Sequence, residues 1–196
     1  MTAETSTAVL AVTGDESVTV AMLKSHSNIV ADDEDANIAQ YIAAAREQVE
    51  EDSQLKLVRR TMRHRRSAWP VGPIELGAPL ISVTSITYID TDGNSQTWDS
   101  GGSWYVDADR RPGVIWKHPS AEWPEVLAGR ADAITIEYVE GYAAADVPAR
   151  ATQATLLLAA HYYKHREAAV VGTISGELAI GYERLIDQLN KERYVC

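Results

Sequence analysis

The chain has 196 residues, 45% of them hydrophobic and 23% charged, a length and balance suited to a globular protein with a sizeable core. No apolar run approaches the roughly 18 residues that cross a bilayer, and the opening MTAETSTAVLAVTGDES lacks the basic flank and apolar block of a signal peptide. The only cysteine, Cys196, excludes an intrachain disulfide and suits a reducing compartment, and a net charge of −10 argues against general nucleic-acid binding, which phosphate attraction dominates.

Residues 1–16 are small and polar with no apolar period, and read as a flexible N-terminal arm, or one ordered only by a partner. In VTVAMLKSHSN, Thr19 is an N-cap candidate before a helix of about two turns. The acids Asp32, Asp33, Glu34 and Asp35 then precede a stronger helix, whose positive end they complement and where Ile38, Ile42, Ala45 and Val49 recur at helical spacing. They lack the spacing and the glycine of an EF-hand.

From about Leu55 to Glu140 the period changes to two, as in strands. KLVRRTMRHRR opens this section: Lys56, Arg59, Arg60, Arg63, Arg65 and Arg66 place six positive charges between Ser53 and Ile74, where no acid occurs, so the rest of the chain carries −16. As a strand, Arg59, Arg63 and Arg65 fall on one side and Lys56, Arg60 and Arg66 on the other. No buried face suits that arrangement, so the strand is expected at a sheet edge or an interface. A solvated edge, contact with an acidic partner surface and contact with DNA phosphates are the three readings of this run. ISVTSITYID is a strand followed by Asp92-Gly93, a hairpin signal, since that turn needs positive φ. Asp90, Asp92 and Asn94 imitate a calcium loop for three positions, but the glycine comes early and the twelfth position is Gly101. WYVDA and GVIWK add short strands, and in AITIEYVE the residues Ile134, Ile136 and Tyr138 alternate with Thr135 and Glu137. All five tryptophans lie in this section.

Two helices follow. Asp146 is the expected N-cap of the first, with Pro148 in its opening turn, and Val147, Ala151, Ala154, Leu158 and Tyr162 form its stripe, widened by Leu157. The second starts near Glu177 and carries Leu178, Tyr182, Leu185 and Leu189 on one face. The fold class is therefore α+β: a helical body of two N-terminal helices (about 19–53) and two C-terminal helices (about 147–192), with an inserted antiparallel β section (about 55–140).

No catalytic constellation emerges. His161 and His165 share a helix face, as in zinc proteases, but the glutamate that should follow the first is Tyr162 and no third ligand is spaced to join them. Packing or subunit contact suits both histidines better. Ser175 sits in G-x-x-S-G, not in the G-x-S-x-G of a nucleophile elbow, and Gly172 and Gly176 precede no lysine, so AAVVGTISG reads as a reversal between helices. No metal, cofactor or catalytic residue is assigned.

Taken in order, VTVAMLKSH with DDEDANIAQYIAAAREQVE, then APLISVTSITYIDTDGNSQTW, then AITIEYVEGYAAADVPARATQATLLLAAHYYKHREAAVVGTIS resemble the head–tail connector (adaptor, or neck) proteins of tailed bacteriophages, over most of residues 18–176. The resemblance implies a structural virion protein, not an enzyme, with residues 17–196 forming one connector domain. It implies a ring, usually of twelve subunits, below the portal protein at the capsid vertex. The ring extends the DNA channel, takes tail or stopper proteins on its other side, and passes the genome without reading its sequence. Assembly would take place in the host cytoplasm, with no membrane partner. Carried onto this chain, the basic strand (Lys56 to Arg66) is a candidate subunit interface. The C-terminal arm from Val171 is a candidate portal-facing segment, including Gly172, Thr173, Ile174, Ser175, Tyr182, Leu185, Leu189 and Tyr194. The β section would face outward or toward the next neck component. Other readings are a neck or tail-completion protein at another ring position, a metal-dependent hydrolase that uses His161 and His165, and a nucleic-acid-binding module that uses the arginine run.

Overall fold

A computed structural model describes residues 4–30, 34–165 and 176–192. The chain divides into two compact units: Met1–Gly14 with Arg59–Gly141, and Asp15–Val58 with Tyr142–Cys196. The backbone passes between the units three times, so neither unit is a continuous stretch of sequence.

The second unit is helical. α1 (Val20–Ser27) starts where the Thr19 side chain accepts the Met22 N–H at 3.2 Å, as expected, and stops at Asn28 in the left-handed region (φ 54°). α2 (Asp35–Ser53) buries the stripe Ile38, Ile42, Ala45 and Val49. α3 (Ala149–Lys164) packs on α2, α4 and α1 and buries Ala151, Ala154, Thr155, Leu158, Ala159 and Ala160, most of them small residues that allow close helix packing. Pro148 stands at its cap position, while Asp146, the expected cap, ends a short 3₁₀ turn (Ala144–Asp146) and makes no capping bond. Proline's fixed φ starts the helix without a side-chain acceptor. α4 (Gly176–Glu192) packs on α3 and α2, burying Tyr182, Ile186 and Leu189.

The first unit holds two antiparallel sheets. Five strands lie in the order β1-β2-β8-β4-β5: β1 Thr5–Val12, β2 Arg60–Arg66, β4 Leu80–Ile89, β5 Ser95–Thr97 and β8 Ile134–Glu140. Three more, β3 (Ile74–Glu75), β7 (Val114–Lys117) and β6 (Trp104–Asp107), form the second sheet in that order. β8 alternates as its sequence requires, burying Ile134, Ile136 and Tyr138 and leaving Thr135, Glu137 and Val139 half-buried. These residues join Met62, Ile74, Leu80, Ile86, Trp98 and Ile115 in one core. Trp69 stacks on Trp123 at 4.6 Å between ring centroids and lies 5.1 Å from Trp98, while its Nε1 donates to the Pro124 carbonyl at 2.8 Å. The strandless segment around Pro124 is fastened to the sheet in this way.

Two expectations are corrected here. Residues 5–12 are not a flexible arm but strand β1, paired with β2 from Thr5↔Arg66 to Val12↔Arg60. A bulge between Val9 and Ala11 shifts the phase of alternation, and all eight residues are exposed, so the strand carries no simple apolar period. The basic strand β2 is not an edge, because β1 covers one side and β8 the other.

Candidate functional site

The residues singled out in the sequence divide between the two units. Lys56 lies before β2 in the helical unit, where its carbonyl accepts the Tyr142 N–H at 3.1 Å. Arg59 opens the sheet unit, and its carbonyl accepts the N–H groups of Thr13 and Gly14 at 2.9 and 3.0 Å. Arg60, Met62, His64 and Arg66 share one face of β2, and Thr61, Arg63 and Arg65 share the other. The first face does go inward: Met62 is 7% exposed and belongs to the core. Its charged members on that face, Arg60 and Arg66, stand at the two ends of the strand and are half-buried; Arg66 Nε donates to the Ala68 carbonyl at 3.4 Å, and burial holds its guanidinium below the usual arginine range.

His64, between them, is a further half-buried polar group of that face. Its Nδ1 meets the Thr7 hydroxyl of β1 at 2.9 Å, and its buried Nε2 has no hydrogen-bond partner. Burial, and next the charge of Arg66, hold its imidazole below the usual histidine range. On the opposite face Arg63 donates through Nε and Nη2 to Glu137 Oε1 of β8 at 3.1 and 2.9 Å. Arg65 is exposed. The arginine row is therefore partly neutralised within its own sheet.

Of the candidate C-terminal contacts, Tyr182 and Leu189 are buried, Leu185 is half-buried, and all three lie on α4. The Tyr182 hydroxyl donates to Asp52 Oδ2 at 2.6 Å; burial and that carboxylate push the phenol well above its usual range. The Asn190 amide donates to the Asp52 carbonyl at 3.2 Å. Tyr182 and Leu189 thus hold α4 to its own unit. Val171, Gly172, Thr173, Ile174, Ser175 and Tyr194 lie outside the described residues.

His161 and His165 stand with ring centroids 4.3 Å apart at the end of α3, and burial followed by the neighbouring His165 holds His161 below the usual range. No group of three or more His, Cys, Asp or Glu side chains is placed to hold a metal ion among the described residues. The Asp90 carboxylate is taken up by its own hairpin, accepting the N–H groups of Asp92 and Asn94 at 3.1 and 2.8 Å and the Gln96 amide at 2.9 Å.

Sequence reasoning missed a polar node in the helical unit. The Glu50 carboxylate, 4% exposed, accepts the Leu57 and Val58 N–H groups at 2.8 and 3.4 Å and lies 3.4 Å from Arg46. Arg46 also donates to Glu16 at 2.9 Å. An arginine and a glutamate four apart on a helix are common as an exposed pair, and nothing in their spacing marks this one as buried. Only the return of the chain at residues 57–58 buries it.

Residues 17–86 match the family model of the phage gp6-like head-tail connector protein. A search of curated proteins found no match. Among solved structures, a chain from the neck of an empty gene transfer agent (GTA) particle computed with C6 symmetry is similar at 25% identity. That similarity covers 92% of this chain and 94% of the other, with a TM-score of 0.69. A chain from the virion of the native GTA particle shares the fold at 22% identity, TM-score 0.73, over 93% and 94% of the two chains. A chain from the neck of the native particle computed with C12 symmetry does so at 24%, TM-score 0.64, over 92% and 94%. The chain is thus similar to head–tail connector proteins over residues 17–86 and to neck and virion chains of a phage-like particle over most of its length.

Proposed function

We propose that this protein forms a ring in the neck of a virion, below the portal at the capsid vertex, where it extends the DNA channel and joins head to tail. The observation that carries this reading is the likeness over 92% of the chain, at 25% identity, to a protein of a particle neck computed with cyclic symmetry. Cyclic rings require each copy to present two different faces to its neighbours, and a chain with opposite charges concentrated in separate stretches supplies the raw material for that. Twelve copies are the expected number. The segment from Val171 to Cys196 is the proposed portal-facing arm, with Tyr182 and Leu189 as the anchors that hold its helix in place rather than as contacts to the portal. The genome passes through the ring without sequence recognition, as suits an acidic chain.

Imaging the assembled particle neck tests this directly. A ring of this chain between portal and tail is the expected result, and its density elsewhere in the particle overturns the reading. Pull-down with the portal protein separates it from the runner-up, a neck or tail-completion protein at another ring position, which would bind tail components and not portal.

A further inference from the structure

Among the described residues the five-stranded sheet ends in two edge strands, and the charges near them are opposite in sign. At one end β1 is the edge strand. It contains no charged side chain, and Val9, Leu10 and Val12 are 51%, 41% and 65% exposed. Next to it β2 carries Arg60, Arg63, Arg65 and Arg66. At the other end β5 is the edge, with exposed Asp92 before it and exposed Asp99 after it. From Ser67 to Asp109 the sequence has six acids and no lysine or arginine.

Open edges are usually blunted by lysine, proline or bulges. The outer side of β4 is interrupted at both Ile81 and Thr84, where its register with β8 shifts. β1 has neither lysine nor proline, and its one bulge, between Val9 and Ala11, leaves the pairing from Thr5 to Val9 without interruption.

We propose that the β1 edge of one copy docks against the β5 end of the next copy of this chain. Their sheets then join edge to edge, with the arginine row of β2 turned toward Asp92 and Asp99. This rests on the ring reading above, since a contact between two different faces closes a ring only by repetition. Charge selects a second copy as the occupant: the acidic end that complements the arginine row lies on the same sheet. Size agrees. The shorter edge sets the contact: β5 has three residues, about 10 Å at ~3.4 Å per residue, and such an edge covers much less than the roughly 800 Å² per partner of a stable pair. A lone dimer is therefore not held, whereas a closed ring grips each copy on both sides and makes the same small contact sufficient.

The test uses the full chain with Cys196→Ser. Ser6→Cys or Ala8→Cys on β1 is combined with Ser95→Cys on β5; the strand registers place all three on the sheet face opposite the core. Assembled rings or particles are oxidised, run on non-reducing gels and imaged in parallel. A disulfide ladder is expected from a double variant and none from the single variants. Arg65→Asp is expected to cut the ladder at least tenfold, and adding Asp92→Arg to restore it. Cross-linked dimers from a single β1 variant mean that β1 meets β1 and overturn the proposal. Rings that image normally but give no ladder overturn it while leaving the ring reading intact. A chain that forms no ring, purified or in particles, overturns both.

Discussion

Glu50 is a carboxylate buried by what it accepts. Two backbone N–H groups and Arg46 converge on it, so its removal strands donors that water cannot reach. Glu50→Ala is expected to lose about 3 kcal/mol in urea unfolding, and Glu50→Gln, which keeps an acceptor oxygen, about 1 kcal/mol. His64 gives a pH dependence. Its folded-state pKa lies below the unfolded value, so protons bind the unfolded chain more readily. Stability should be level above pH ~7.5 and fall as the pH drops through the ordinary histidine value of about 6.5. His161 shifts in the same direction. The loss between pH 7.5 and 5.5 is therefore expected to shrink, not vanish, in His64→Gln, as read from denaturation midpoints at the two values. Neither role was legible in sequence, where His64 is one more member of a basic run and Glu50 one more acid on a helix.

At the level of elements, two glycines separate packing from loop freedom. A Cβ on Gly113 would stand 2.3 Å from Leu80 Cβ, a buried atom with no room to retreat. A Cβ on Gly72 meets nothing within 4 Å. Gly113→Ala is expected to cost about 1–3 kcal/mol by overpacking, and Gly72→Ala to stay within about 0.5 kcal/mol, both by thermal or urea unfolding. Trp98 binds the aromatic cluster to the core, and Trp98→Ala should lose about 3–5 kcal/mol with a marked change in near-ultraviolet circular dichroism. The strands and helices carrying these residues were legible because their periods are local: Ile38 to Val49 at helical spacing, Ile134 to Tyr138 at every second residue. β1 was not, because its bulge breaks the alternation and its side chains bury nothing in the chain itself.

For the whole molecule, electrostatics should show in assembly. Where opposite charges on neighbouring copies contribute to the ring, their attraction is screened as the Debye length falls from about 10 Å at 0.1 M to about 3 Å at 1 M salt. Sedimentation of the purified chain is expected to show more free subunit at 1 M than at 0.1 M sodium chloride; a distribution independent of salt would put the ring's cohesion on apolar contacts alone.

The sequence by itself determined the four helices and the strand character of the section between them, but not β1, together with the apolar stripes of α2, α3 and β8 and the separation of basic from acidic stretches. These follow from residue type and spacing within a few turns or strand lengths. The tertiary structure decided the rest, because it depends on partners far apart in the chain. Arg63 meets Glu137 74 residues on, Thr7 meets His64 57 residues on, and Tyr182 reaches Asp52 across 130. Pairing β1 onto β2 moved the basic strand from the edge to the interior of its sheet. It also left the uncharged β1 edge, rather than the arginines, as the surface open to a neighbour.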